Sequence, residues 1–165
     1  MMSGLARFLF GHEIFDEIVT AEFGSSILVL DENFIESKEL ISALIRKTDW
    51  ASPVNSIEVT SGKASLGSGA LTVGLPGEDL AYTSATLNEF RRSHRRWVIV
   101  HNYLPEFLVR YKSEDLLRLI ESWRGTISEN ETVEFFLMPK GTFPETERVL
   151  KSVVDGVISI SRRPE

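Results

Sequence analysis

Two unbroken apolar runs, Ile27–Leu30 and Trp97–Val100, set the narrowest limit on how this chain can fold. A strand apolar at every position is covered on both faces, which is the condition inside a parallel sheet packed between helices. Val133–Met138 reads as a third buried strand, and helical periodicity fills the intervals. Phe34, Leu40, Ile41, Leu44 and Ile45 fall near one side of a helix ending at about Thr48. Ser56–Thr60 and Leu71–Leu75 read as strands, separated by a glycine- and serine-rich stretch over 61–69. Helices are expected over Asp79–His94, Glu114–Trp123 and Pro144–Val154, with a last strand at Val157–Ile160. Alternating strands and helices predict an α/β domain whose sheet is mostly parallel. The length of 165 residues suits one domain, with 1–24 as a lead-in and 25–165 as the core.

The remaining composition excludes several classes. A net charge of −6 opposes broad affinity for nucleic acid or for an anionic membrane. With no cysteine, disulfides and thiolate ligands are ruled out. His12, His94 and His101 lack the spacing of a helical zinc site, so no metal is expected. No apolar run reaches the roughly 20 residues of a membrane helix. Met1–Phe10 does not read as a secretory signal, so a cytoplasmic setting is expected.

The stretch from Ser26 to Leu40 reads as strand, turn and amphipathic helix, the setting in which many proteins cradle a phosphate. Here the turn carries Asp31, Glu32 and Glu36 and contains no glycine. A helix start has unpaired N–H groups and favours negative charge. Asn33 and Glu36 have the spacing of a capping-box-like pair, so the chain supplies its own anion at that end.

The order of pieces resembles the RecA-like ATPase core, in particular its KaiC-like branch. Gly11-His12-Glu13-Ile14-Phe15-Asp16-Glu17-Ile18, followed by Phe23-Gly24-Ser25, is similar to that family's lead-in. Arg96–Asn102 occupies the place of the Walker B strand, and Val133–Gly141 with Val154-Asp155-Gly156-Val157-Ile158 looks like its closing strands. The likeness spans nearly the whole chain, and its specificity lies in order and spacing. It implies a three-layer RecA-like fold with a mostly parallel central sheet flanked by helices.

The departures fall on the catalytic motifs of that family. Setting Asp31 on the first glycine of the P-loop puts Glu36 on the second, with Ser37 and Lys38 displaced by one from the lysine and hydroxyl. A side chain in a left-handed slot costs roughly 1–2 kcal/mol. Like charges about 4 Å apart repel by about 4 kcal/mol at an effective dielectric near 20. Micromolar binding amounts to only about 8 kcal/mol. His101, followed by Asn102, stands where the Walker B aspartate would hold magnesium, and a neutral imidazole suits that hard cation poorly. Glu58 lies inside its strand, so the catalytic glutamate has no counterpart. The resemblance with these departures implies a non-catalytic scaffold, regulatory or self-assembling subunit. Such a subunit uses neither ATP nor magnesium and works through a protein partner or further copies of itself.

A different reading keeps the former nucleotide edge as a site with new residues. On that reading His101, Asn102, Asp31 and Lys140 line a pocket for a ligand, a nucleotide signal or a substrate. The run Arg91-Arg92-Ser93-His94-Arg95-Arg96 offers a third: Arg91, Arg92, Arg95 and Arg96 as an anion patch for a phosphate or nucleic acid. Its plainer meaning is a set of solvated cations complementing a helix C-terminus.

Overall fold

The computed structural model describes residues 7–8, 21–31, 56–60, 71–74 and 80–160. A small antiparallel ribbon pairs β1 (Arg7–Phe8) with β2 (Ala21–Glu22). The main sheet contains β3 (Ser25–Asp31), β4 (Ser56–Thr60), β5 (Leu71–Gly74), β6 (Val98–Asn102), β7 (Val133–Pro139) and β8 (Gly156–Ile160). Its spatial order is β5-β4-β6-β7-β3-β8, and every pairing is parallel. The unbroken apolar runs form its interior strands, with all of β6 buried and β3 buried from Ser26 onward.

Five described helices pack on the sheet: α1 (Leu80–Ser93), α2 (Leu104–Arg110), α3 (Ser113–Ser122), α4 (Arg124–Asn130) and α5 (Pro144–Val153). The steps β5→β6, β6→β7 and β7→β8 all move the same way across the sheet. Right-handed crossovers then deliver all their helices to one face. Register identifies that face. Val59, His101, Phe136 and Leu28 lie side by side across four strands, with Leu30 and Met138 one row further on. Leu87 of α1, Leu116 and Ile120 of α3, Ile127 of α4 and Leu150 of α5 join them in one core. The opposite face, including Val29, Val98, Val100, Phe135 and Leu137, is also buried.

Local chemistry sets the element ends. Pro105 and Pro144 sit in the first turns of α2 and α5, where no backbone donor is needed. The helix start at Ser113 follows an extended Lys112. Sequence periodicity gives one helix between β6 and β7, whereas the structure has three, because α2 and α4 are single short segments of seven residues each. The expected helix over 34–48 and the stretch 61–69 lie outside the described residues. No described helix is long and apolar enough to cross a membrane.

Gly24 holds the turn into β3 at φ +89°, and its N–H donates to the Thr132 carbonyl at 2.8 Å. A Cβ there would lie 3.1 Å from Ser128 Cα, a backbone atom that cannot swing aside. Gly141 has a similar φ of +85° with open space around it. Gly141→Ala should therefore cost only the left-handed penalty of about 1–2 kcal/mol. Gly24→Ala should cost clearly more in a urea unfolding comparison, because it adds a displaced α4 to the same penalty; equal losses would contradict this packing.

Candidate functional site

The densest chemistry lies inside the protein, between the sheet and the helical layer. Glu134, on β7, is fully buried and accepts four side-chain hydrogen bonds. Arg91 grips it in fork geometry, through Nε to Oε2 at 2.7 Å and Nη2 to Oε1 at 2.8 Å. Thr132 Oγ1 donates to Oε2 at 2.6 Å, and His101 Nε2 lies 2.6 Å from Oε1. Asn88 Oδ1, one turn before Arg91 on α1, takes the guanidinium's remaining edge at 2.8 Å. Tyr103 O–H lies 2.6 Å from His101 Nδ1 and completes the chain.

Two periodicities bring these residues together. Thr83, Leu87 and Arg91 repeat every four residues on α1 and make its buried stripe. On β6, His101 alternates with Val100 and Asn102, so its ring points to the helical face while theirs point away. Register sets His101 beside Phe136, with Glu134 two residues earlier on the same face of β7. The imidazole belongs to a cluster of near-parallel rings. Phe136 stacks on it at 4.1 Å and 3°, and Trp123 lies 5.7 Å from it at 19° and 6.4 Å from Phe136. Trp123 also lies under the Arg91 guanidinium at 4.9 Å and donates its indole N–H to Ser84 Oγ at 2.9 Å.

Proton positions follow from the inventory of donors. Burial works to raise the Glu134 pKa, but the Arg91 charge and the hydrogen bonds outweigh it and hold the carboxyl far below its usual range. An ionised carboxylate only accepts, so His101 Nε2 carries the hydrogen. Burial lowers the His101 pKa against the pull of Glu134, so the ring is neutral and Nδ1 accepts from Tyr103. Burial likewise drives the Tyr103 pKa well up, keeping its proton on. Arg91 and Glu134 thus cancel, and a second cation at His101 would be uncompensated. The network fixes protons in one arrangement: Arg91, His101, Tyr103, Thr132 and Glu134 are all buried, and only Asn88 at its margin is half-buried.

These positions revise several sequence expectations. His101 does not join Asp31 and Lys140 in a pocket, because it faces the opposite side of the sheet from Asp31. Asp31 is buried at the end of β3, where its carbonyl accepts from Lys140 N at 2.8 Å. Asn102 does share the Asp31 face, and its buried Nδ2 has no hydrogen-bond partner among the described residues. Arg91 leaves the expected anion patch altogether, since its side chain is consumed by Glu134 inside the fold. The other three arginines are exposed but matched: Arg92 with Glu89 at 3.6 Å, and Arg95 and Arg96 with Glu131 at 3.4 and 3.5 Å. Arg96 also lies over the Phe23 ring at 4.4 Å. Glu32, Asn33, Glu36, Ser37 and Lys38 lie outside the described residues. Glu134, Tyr103 and Thr132 were missed from sequence; the available signal was a lone carboxylate within Val133–Met138, which demands a buried partner.

Comparison with known proteins yields a fold and little else. No family model matches the chain, and no curated protein matches it. Among solved structures it is similar to a prototypical ATPase from the type III secretion system of pathogenic bacteria. The two share 10% identity at a TM-score of 0.66, over 98% of this chain and 58% of that one. The chain thus spans little more than half the length of that neighbour. At such identity the likeness defines a class by architecture alone: a P-loop ATPase-like α/β fold with a parallel sheet flanked by helices.

Two outcomes test the network. Glu134→Gln leaves the Arg91 guanidinium buried without its counter-charge, so unfolding in urea should show a loss of about 3–5 kcal/mol. The second concerns pH. The folded pKa of His101 lies below its unfolded value of 6.5, so the unfolded chain binds more protons once pH falls under that value. Stability should decline from about pH 7 to about pH 5, before ordinary carboxylates titrate. Glu134 pulls the same way at lower pH, since its depressed pKa stabilises the fold above the unfolded carboxyl range. His101→Gln should flatten the decline between pH 7 and 5; an unchanged slope would remove His101 as its source.

Proposed function

We propose that this chain is a degenerate RecA/KaiC-like protein that acts without ATP hydrolysis, as a self-assembling, scaffold or regulatory subunit. The observation that carries this reading is the orientation of His101. The residue at the end of the strand matched to Walker B is committed to the Glu134–Arg91 network, stacked on Phe136 and flanked by Trp123. A group so held cannot reach a bound nucleotide or its metal. The carboxylates after β3 in the sequence add like charge where a polyphosphate would sit. On this reading the chain needs neither ATP nor magnesium, works in the cytoplasm, and acts through protein contacts rather than through nucleic acid or a membrane.

A second reading rests on Asn102. Its unpartnered amide lies at the C-terminal end of β6, on the face of the sheet that carries Asp31. Between β3 and β7 the chain departs in opposite directions, β3 toward β4 and β7 toward β8. Ligands of open α/β sheets gather beside such a reversal. A small molecule with a hydrogen-bond acceptor would satisfy that amide.

Thermal unfolding with and without millimolar Mg-ATP separates the two. Binding at 100 times the dissociation constant would add about 2.7 kcal/mol to stability. The expected result is no shift and no phosphate release. A shift present in the wild type and lost in Asn102→Ala would establish the second reading and overturn the first.

A further inference from the structure

The sheet ends at β8, whose only partner among the described residues is β3. The outer edge of a terminal strand offers alternate N–H and C=O groups to another strand, and proteins normally blunt such edges with charge, proline or a bulge. Gly156-Val157-Ile158-Ser159-Ile160 has neither charge nor proline, and its register with β3 is continuous over all five residues. Val157 is 39% exposed and Ser159 is exposed, while Ile158 points into the buried side of the sheet.

Resting on the self-assembly reading above, we propose that the β8 edge is the interface with a second copy of this chain, the two strands pairing antiparallel about a two-fold axis at Ile158. Such a symmetric contact places each residue against its mirror position. Val157 then faces Ser159 of the other copy, and Ile158 faces itself. Self-pairing normally fails where a charged strand meets its own charge, and β8 carries none. In a chain with a net charge of −6, that uncharged edge is suited to a second copy, which brings the same excess of negative charge. Backbone hydrogen bonds would join the two sheets into one, and the exposed Val157 of each copy would be covered at the seam.

The test is solution mass by light scattering across a concentration series, on wild type and two double variants. V157K/S159K sets lysine against lysine across the axis, whereas V157K/S159E sets lysine against glutamate. Both change exposed positions, and circular dichroism confirms that each variant folds. A dimeric wild type, a monomeric V157K/S159K and a dimeric V157K/S159E are expected. If V157K/S159K associates as the wild type does, β8 is not the interface, although self-assembly stands. If V157K/S159E is also monomeric, the antiparallel register is wrong. A wild type monomeric throughout the series overturns self-assembly itself, and a β8 pairing with it.

Discussion

The buried pair of Arg91 and Glu134 is the constraint on which the helical face of this protein depends. Neither charge could be left inside the fold alone; an unpaired buried ion costs several kcal/mol even after relaxation. Bringing them together fixes the rotation of α1 on the sheet, since a turn of one residue would carry Arg91 off its stripe with Thr83 and Leu87. It also fixes the side of β6 that His101 occupies, because only that side faces Glu134. The aromatic residues complete the enclosure and exclude water that would weaken the pair. Position and protonation are therefore set together: the same contacts that hold the helix hold the protons.

This arrangement alters what the fold can do. In an open α/β sheet, the strand ends are where side chains meet ligands. Here the imidazole at one such end is turned inward, and the edge keeps Asn102, Asp31 and Lys140 of the expected set. The surface charges follow the same logic of internal satisfaction. Arg92 pairs with Glu89 while Arg95 and Arg96 share Glu131, so a run that looks strongly basic in sequence is largely, though not fully, offset in space.

Most of the architecture was legible in the sequence because burial on both faces writes itself as unbroken apolar runs. The strands at 27–30, 97–100, 133–138 and 157–160 fall within β3, β6, β7 and β8 or within one residue of β6. The helices at 79–94, 114–123 and 144–154 match α1, α3 and α5 to within a residue at each end. The helix ending at Trp123 was read where α3 ends, whereas α2 and α4 were missed because seven residues make under two turns, too few for a helical period to show. The site was much less legible. Whether His101 faces the helices or the opposite side depends on register with β7, and register is a property of pairs of strands. Arg91 looked like its neighbours in a charge run, and only its place on the α1 stripe sets it apart.

The first long strand is the last to be completed. β3 begins at Ser25, yet both of its neighbours, β7 and β8, come from the far end of the chain. Asp155 underlines this separation: its carboxylate accepts from Ser26 N at 2.9 Å across 129 residues of sequence. A ribosome releases the amino-terminal part first, so β3 must wait with both hydrogen-bonding edges open until β7 and β8 have been made. Contacts of such long range are slow to form. The centre of this sheet is therefore the part of the newborn chain most in need of shelter, and the finished fold closes around it only at the end.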